Sequence, residues 1–292
     1  MKKSLFVLGT ALLFTTSAFA GNWDYAQGSP TYGTYQQPVV QSASAKTTKT
    51  SLVRKKSADK KTATSGYRIG NPLYHPTAGQ TLLTGTASYY YIPREEAIGQ
   101  EKTTGWTADP VAEIGLSNQL STYFGADYGQ FKTKGGVKFS TYNAAIGLRY
   151  LLASVDGFDF NLKAGLYYDK GRLKNVRTTY RETGTDLGLQ IGKKIQNLTP
   201  YFGVGFKTDF WSKRGSSSGT DTYINPGVYI DLSKAVSLNL GYSSIIHSDA
   251  EYRAMFDIYA ARNTMFTLGA FVIHPETDKD TYGATAGMKV GF

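Results

Sequence analysis

The 292-residue sequence contains no cysteine, which excludes a disulfide scaffold, a zinc ribbon, an iron–sulfur cluster and a cysteine nucleophile. Histidine occurs only at positions 75, 247 and 274, which argues against a histidine-rich metal centre. No stretch after the first twenty residues approaches the about 18 uninterrupted apolar residues of a membrane-spanning helix. Acidic residues are also scarce, because 22 Asp and Glu stand against 32 Lys and Arg, a net charge of +10.

Aromatic residues and glycine are abundant instead. The chain has 22 Tyr, 15 Phe and 32 Gly, far above ordinary usage, while its mean hydropathy is slightly negative at −0.31. This mixture suits neither a helix bundle nor a helical membrane protein. It is typical of a sheet with one aromatic-rich apolar face and one face of small and polar residues.

The first twenty residues have the pattern of a signal peptide. Lys2 and Lys3 form a charged start, Leu5 to Phe14 form an apolar core, and Ala18-Phe19-Ala20 precedes Gly21 as a cleavage pattern. A membrane anchor is the alternative, but the core is shorter than the about 20 residues that a spanning helix needs. The sequence therefore predicts residues 1–20 as a signal peptide cleaved near Ala20, and a product exported by a Gram-negative-type bacterium.

Residues 21–79 have the composition of a low-complexity, basic extension. Between 21 and 64 there are seven Lys and Arg against Asp24 and Asp59, a net of +5. Such a segment cannot bury enough apolar surface to offset its ordering entropy, so we expect a mostly disordered periplasmic segment. The basic run 46–61 is either a solvated tail or a tether to anionic cell wall. The positive charge of this run would suit nucleic-acid binding, but an exported segment is in the wrong compartment for it. Residues 71–76 form a stiff lead-in to the first strand.

From residue 80 onwards, apolar and polar residues alternate with a period of two, the pattern of a strand with one apolar face. Between 157 and 169, one face is Phe158, Phe160, Leu162, Ala164, Leu166 and Tyr168. A soluble β-sandwich also alternates, but the polar faces here carry repeated glycines and ionisable residues instead of a second apolar layer. The connections also alternate between longer charged loops and tight turns.

The alternation predicts an all-β chain of twelve strands. The tenth, 251–260, could pass for a helix, so ten strands is the fallback; an even number places both chain ends on one side. The predicted strands are 81–91, 109–117, 120–131, 138–152, 157–169, 182–193, 199–210, 222–232, 235–246, 251–260, 263–273 and 281–292.

Residues 80–292 resemble a bacterial outer-membrane β-barrel protein of the porin-like kind. The resemblance rests on the alternating strands and on a closing strand with the terminal pattern Tyr282, Met288, Val290 and Phe292. It implies a transmembrane antiparallel up-and-down barrel, with outer-membrane lipid, lipopolysaccharide and the insertion machinery as partners. The closing-strand residues would be the assembly signal that this machinery reads. Such barrels serve many functions, so the resemblance selects none.

Four charged residues fall on the predicted inner face: Arg149, Lys163, Asp186 and Lys207. The estimated register pairs Arg149 with Asp159 or Asn161 and puts the other three at similar depth on consecutive strands. Unpaired charges in a dry lumen are costly, so these residues either brace the wall as ion pairs or line an aqueous pore. Twelve strands permit a narrow channel without requiring one.

The loop around residues 169–181 carries five basic residues, which are Lys170, Arg172, Lys174, Arg177 and Arg181. We expect this extracellular basic loop to attract lipopolysaccharide phosphates and to form a cationic channel mouth. The strand number, the glycine-lined inner faces and the lumenal charges favour a small porin-like channel for ions or small polar solutes. The basic loop together with Lys163 and Lys207 predicts that this channel has a modest anion preference. The alternative is a non-conducting barrel that presents its loops for structural or surface interactions.

An outer-membrane enzyme is the third hypothesis. Its candidate residues are His274 and a group at 243–249 comprising Ser243, Ser244, His247 and Asp249. In a strand, Ser243 and His247 would lie about 13 Å apart, too far for direct proton transfer. Acidic residues at 276–280 would hold a divalent ion weakly at most. The sequence therefore predicts no enzyme activity, no catalytic or metal site and no cofactor.

Overall fold

The computed structural model describes residues 67–94, 101–173, 179–212, 220–246, 249–275 and 279–292. The predicted signal peptide, the basic run 46–61, and residues Lys174, Arg177 and His247 lie outside these ranges. Within them, no helix is long and apolar enough to cross a membrane.

Twelve strands form the described structure, as predicted, and the doubtful tenth is a strand. They are β1 (Thr81–Ile92), β2 (Thr103–Gly115), β3 (Leu120–Thr133), β4 (Lys138–Val155), β5 (Phe158–Leu173), β6 (Thr179–Lys193), β7 (Leu198–Ser212), β8 (Thr220–Asp231), β9 (Val236–Ile245), β10 (Ala250–Ala261), β11 (Thr264–His274) and β12 (Thr281–Gly291).

The strands form a closed antiparallel barrel in which each one pairs with its neighbours in sequence. The seam between β1 and β12 is antiparallel as well, with Thr84 opposite Lys289. We call the end with the turns 116–119, 156–157, 194–197, 232–235 and 262–263 the turn end, and the opposite end the loop end. Residue 67 and Phe292 both lie at the turn end, because an even number of strands starts and ends the barrel on the same side.

The two faces of the wall follow the predicted alternation. On β4, Leu148 points outward with 47% of its surface exposed, whereas Asn143 and Arg149 point inward and are buried. Outward aromatic side chains gather near the loop end, where Tyr128 packs between Trp106 and Tyr142 at centroid distances of 5.5 and 5.0 Å. An apolar outer band with aromatic residues near its edge is the pattern of a lipid-facing barrel.

Inward glycines and tyrosines fit together across neighbouring strands. The hydroxyl of Tyr123 lies where a side chain at Gly147 or Gly165 would begin, and the Tyr223 hydroxyl lies 2.6 Å from the corresponding position at Gly188. The glycines therefore make room for aromatic rings that lie across the inner wall. This complementarity explains why both residue types are so frequent in the sequence.

β2 is longer than the sequence predicted, because it starts at Thr103 and not at 109. Proline cannot donate a ladder hydrogen bond and is therefore uncommon inside a strand. The structure places Pro110 inside β2, opposite Gly85 of β1. On the other side, the β2–β3 pairing stops at Ala108 and resumes at Val111, which accommodates the missing N–H.

Candidate lumenal pathway and plug

Residues 67–77 lie in the turn end of the lumen, and we call them the plug. Two turns fold this segment back on itself. The backbone N–H of Asn71 donates to the Arg68 carbonyl and that of Tyr74 donates to the Asn71 carbonyl, both at 2.9 Å. Ile69 and Leu73 are buried, and Ile69 packs against Leu82 and Met265 of the wall. The stiff lead-in predicted before β1 is therefore an ordered part of the lumen.

Arg149 links the plug to the wall. The pairing of Arg149 with Asp159 or Asn161 that the sequence predicted is wrong. Its guanidinium donates to the Glu113 carboxylate at 3.0 and 3.2 Å and to the Tyr74 carbonyl at 3.1 Å. An irregularity between Leu151 and Ala153 shifts the β4–β5 register, so Lys163 lies opposite Arg149. The partner carboxylate comes from β2, two strands away.

The other contacts of the plug come from Arg68, Gly70 and Asn71. Arg68 donates to the Ser237 hydroxyl at 3.1 Å and to the Ser233 carbonyl at 3.0 Å. The side-chain amide of Asn71 donates to the Thr199 hydroxyl at 3.0 Å. Gly70 fits so closely that an added Cβ would lie 2.8 Å from both Met265 Sδ and Tyr229 Oη and nearer still to Asp257. A larger residue at Gly70 therefore cannot enter the same place.

Lys163, Asp186 and Lys207 do lie at similar depth, as predicted, and form the centre of an ionic cluster. Lys163 donates to one Asp186 oxygen at 2.8 Å, and the Tyr223 hydroxyl donates to the other at 2.8 Å. Lys207 lies opposite Asp186 in the β6–β7 register and opposite Asp221 in the β7–β8 register. Lys163, Asp186 and Lys207 are buried, so this part of the wall is braced by paired charges.

Nearer the loop end, four acidic residues form what we call the acidic row: Asp109, Asp127, Asp169 and Glu182. Asp127, Asn143, Asp169 and Glu182 follow one another in register across β3 to β6. Asp109 and Asp127 lie side by side on β2 and β3, and the Asn143 side-chain amide donates to Asp169. The sequence did not predict this row, although the alternation already placed Asn143 and Asp169 on the inner face.

The wall formed by β9 to β12 and β1 is less tightly filled, and we call its inner surface the lane. Half-buried polar residues line it, including Thr84, Thr86, Asn239, Thr267 and Lys289. A cavity of about 30 Å³ lies along it, and a second of about 40 Å³ lies between the plug, the lane and the opposite wall at Glu113 and Arg149; Gly70 of the plug borders both. Cavities of this size hold one or a few water molecules. The plug therefore ends the lane at the turn end.

At the loop end, an apolar cap lies above the lane. It consists of Tyr90, Phe131, Phe139, Phe271 and Ile273. The Tyr90 ring lies 5.1 Å from the Phe271 ring and 5.6 Å from the Phe131 ring, measured between centroids. The lane thus runs between an apolar cap and a polar plug.

The predicted basic loop is largely strand. Lys170 and Arg172 belong to β5 and Arg181 to β6. The Lys170 ammonium lies 5.8 Å from the centre of the outward Tyr142 ring, and Arg181 lies opposite Lys170 in the register. These three side chains therefore face outward and do not form a lumenal mouth.

The closing-strand residues lie on the outer face at the seam. Tyr282 and Met288 point outward, Val290 is half-buried, and Phe292 is 71% exposed. The Phe292 amide donates to the Thr81 carbonyl at 2.8 Å, and the Thr81 amide donates back at 3.1 Å. The last residue thus takes part in barrel closure, and its role as an assembly signal remains a prediction.

The residues considered for an enzyme do not form a described catalytic group. Ser243 is buried on the inner face, whereas His274 is exposed and lies 2.6 Å from Asp280 at the loop end. His247 lies outside the described residues. Within the described ranges, no three His, Asp or Glu side chains are placed to hold a metal ion.

No protein-family model and no curated protein sequence matches the chain. Among solved structures, an outer-membrane channel from Pseudomonas putida F1 is similar, with 11% identity and a TM-score of 0.53 over 78% of this chain and 98% of that one. The translocator domain of the autotransporter NalP from Neisseria meningitidis has 12% identity and a TM-score of 0.50 over 76% and 91%. At these identities the likeness shows an outer-membrane-type barrel fold and no specific activity.

Proposed function

We infer that this barrel is an outer-membrane channel for ions or small polar solutes whose periplasmic end is closed by its own plug. The observation that carries the proposal is the docking of residues 67–77 in the turn end of the lumen through side-chain and carbonyl contacts. Because the plug contributes no strand to the barrel, it can leave without breaking the wall. Short turns face the periplasm in such barrels, which orients the plug inward.

The cellular location belongs to the same proposal. Residues 1–20 act as the signal peptide, cleaved near Ala20, and the barrel lies in the outer membrane of a Gram-negative-type bacterium. The insertion machinery reads the closing strand through Tyr282, Met288, Val290 and Phe292. The twelve-strand fold and its apolar outer band support this placement.

A substitution at Gly70 tests the plug directly. In Gly70→Val, the added side chain overlaps Tyr229, Met265 and Asp257, so the docked position is lost. We expect the wild-type barrel in planar bilayers to open rarely and the variant to open far more often. Gly85→Val is the matched control, because a Cβ at Gly85 meets nothing within 4 Å. Equal open probability in Gly70→Val and wild type would refute the plug as the gate and assign the closure to the apolar cap at the loop end.

The charges of the inner face favour a channel that prefers cations. This is the opposite of the anion preference expected from the sequence. Among the described inner-face side chains, seven buried acidic residues and the half-buried Asp109 outnumber the basic ones, which are the buried Arg149, Lys163 and Lys207 and the half-buried Arg253 and Lys289 beside the lane. The acidic row adds negative potential on the loop-end side, whereas Lys170, Arg172 and Arg181 face outward. Fixed acids along a pore attract cations and repel anions.

The reversal potential in a salt gradient measures this preference. Asp169→Asn combined with Glu182→Gln removes two charges from the acidic row, so we expect the potential to move toward anion selectivity. Lys170→Gln combined with Arg181→Gln is the control, since these residues face outward and should leave it unchanged. An anion-selective wild-type channel would contradict the proposal.

A closed barrel that presents its loops is the second candidate. It is favoured by the packing of the inner wall from β3 to β8, where Lys163 is 2% exposed and Gln190 is fully buried. This candidate predicts no conductance from wild type, from Gly70→Val, or from a chain that lacks residues 1–79. Measurable conductance in any of the three excludes it.

A further inference from the structure

The outer surface carries a basic patch at the loop end, which consists of Lys132, Lys138, Lys170, Arg172 and Arg181. These residues lie on four consecutive strands, β3 to β6, and share the outward face. The described outward residues of β3 to β6 include no Asp or Glu, and those at the loop ends of β8 to β12 and β1 include no Lys or Arg. Among the outward strand residues, the positive charge is therefore concentrated in one sector, and Lys102, whose ammonium lies 5.0 Å from the centre of the Tyr91 ring of β1, adds a charge outside it.

Like charges lie directly opposite each other within the patch. Lys132 is the register partner of Lys138, and Lys170 is the register partner of Arg181. Directly opposed like charges destabilise a sheet, and two such pairs occur within four strands. An anion between the members of each pair would convert this repulsion into attraction.

Aromatic residues beside the basic patch indicate its depth in the membrane. Tyr142 lies opposite both Tyr128 and Lys170, and Trp106 continues the row of rings. Outward aromatic rings mark the boundary between the hydrocarbon and the headgroups of a membrane. The basic patch begins at this level and extends toward the loop end, so its charges lie at headgroup depth.

The dimensions of the patch suit more than one anionic group. On β4, Lys138, Ser140 and Tyr142 are successive outward residues, about 7 Å apart. Because strands are about 4.8 Å apart, the Lys132–Lys138 pair and the Lys170–Arg181 pair are separated by roughly 15 Å. Between them, Arg172 lies opposite the buried Ser140 and adds a further cation.

We propose that the basic patch binds the headgroup of a lipid A-type molecule, a lipid that carries two phosphates on one sugar headgroup. One phosphate lies between Lys170 and Arg181, where the guanidinium forms charge-assisted hydrogen bonds, and the other lies between Lys132 and Lys138. The acyl chains follow the apolar outer surface below Tyr142. The patch thus orients the barrel toward phosphorylated lipid on one side only.

The test compares the full chain in phosphatidylcholine vesicles with and without diphosphoryl lipid A, using the thermal midpoint of the heat-modifiable gel shift. We expect lipid A to raise the midpoint of wild type, and Lys170→Gln with Arg181→Gln to lose most of this rise. The matched control is Lys193→Gln with Lys234→Gln, which removes two charges at the turn end and keeps the rise. In phosphatidylcholine alone, the patch variant should be at least as stable as wild type, because its internal repulsion is gone.

Two further probes separate the sources of phosphate. Monophosphoryl lipid A should give a smaller rise than the diphosphoryl form, and inorganic phosphate at millimolar concentration should give none. A full rise with inorganic phosphate would overturn the proposal in favour of a free-anion site. No rise in wild type, or an equal loss in patch and control variants, would also overturn it. The channel proposal is independent, because the patch variant should conduct as wild type does.

Discussion

The two halves of the inner wall differ in how they are filled, although their strands alternate in the same way. From β3 to β8, tyrosine rings lie across glycines, and Lys163, Asp186 and Lys207 form a buried cluster. The lane from β9 to β1 carries shorter polar residues, such as Thr84 and Asn239, and retains cavities. Alternation thus decides which side chains point inward, whereas their size and charge decide whether the lumen is closed.

The largest contrast between the halves should appear when one lysine is removed from each. Lys163→Met leaves Asp186 without its closest ion-pair partner in a buried site, and we expect a loss of about 3–5 kcal/mol of stability. Lys289→Met in the half-buried lane should cost less than about 1 kcal/mol. Urea unfolding of barrels in lipid vesicles measures both. Equal losses would show that the two halves are not packed differently.

A second pair of variants sharpens the comparison by testing which face is the inner one. Leu148→Arg places a charge on the lipid-facing surface near the middle of β4, and it should cost roughly 2–4 kcal/mol. Asn143→Arg places the same charge beside the acidic row, where Asp127 and Asp169 compensate it, and it should cost much less. The same unfolding assay applies, and a reversed order would mean that the faces are exchanged.

The lane also contains the seam, which a deletion of Phe292 should weaken. The deletion removes two hydrogen bonds with Thr81 and the terminal aromatic ring, so we expect a lower yield of heat-modifiable, folded barrel in cells. Phe292→Tyr keeps the ring and the backbone contacts and should assemble normally. Normal assembly of the deletion variant would argue against a role for this residue.

The smallest effect should come from removing residues 1–66 from the purified chain, because the plug and all twelve strands remain. We expect a change in unfolding free energy within about 0.5 kcal/mol.

The same truncation should abolish the pelleting of the protein with anionic cell wall. Salt should weaken the pelleting of the mature chain, since exposed charges are screened over about 10 Å at 0.1 M salt. Salt-resistant pelleting would contradict an electrostatic tether at 46–61.

Much of the barrel could be predicted from the sequence, because lipid outside and polar contents inside impose a period of two on every strand. The contacts across the lumen could not be predicted in this way. Glu113 and Arg149 come from β2 and β4, which are separated by β3, so the pairing of neighbouring strands does not reveal their contact. The plug has no period at all, and the only signal was a pair of apolar residues, Ile69 and Leu73, in a polar stretch.

The seam also has a consequence for how the protein folds. It joins residues from opposite ends of the barrel sequence, as in the pairing of Thr84 with Lys289, so closure depends on the contact with the longest range in the chain. Contacts of this kind form slowly, because the intervening chain must be ordered or confined first. The plug contacts β1, β4, β7, β9 and β11, so its full binding site exists only after strands from the whole barrel have assembled. Its docking is therefore expected late in folding, after the surrounding wall has formed.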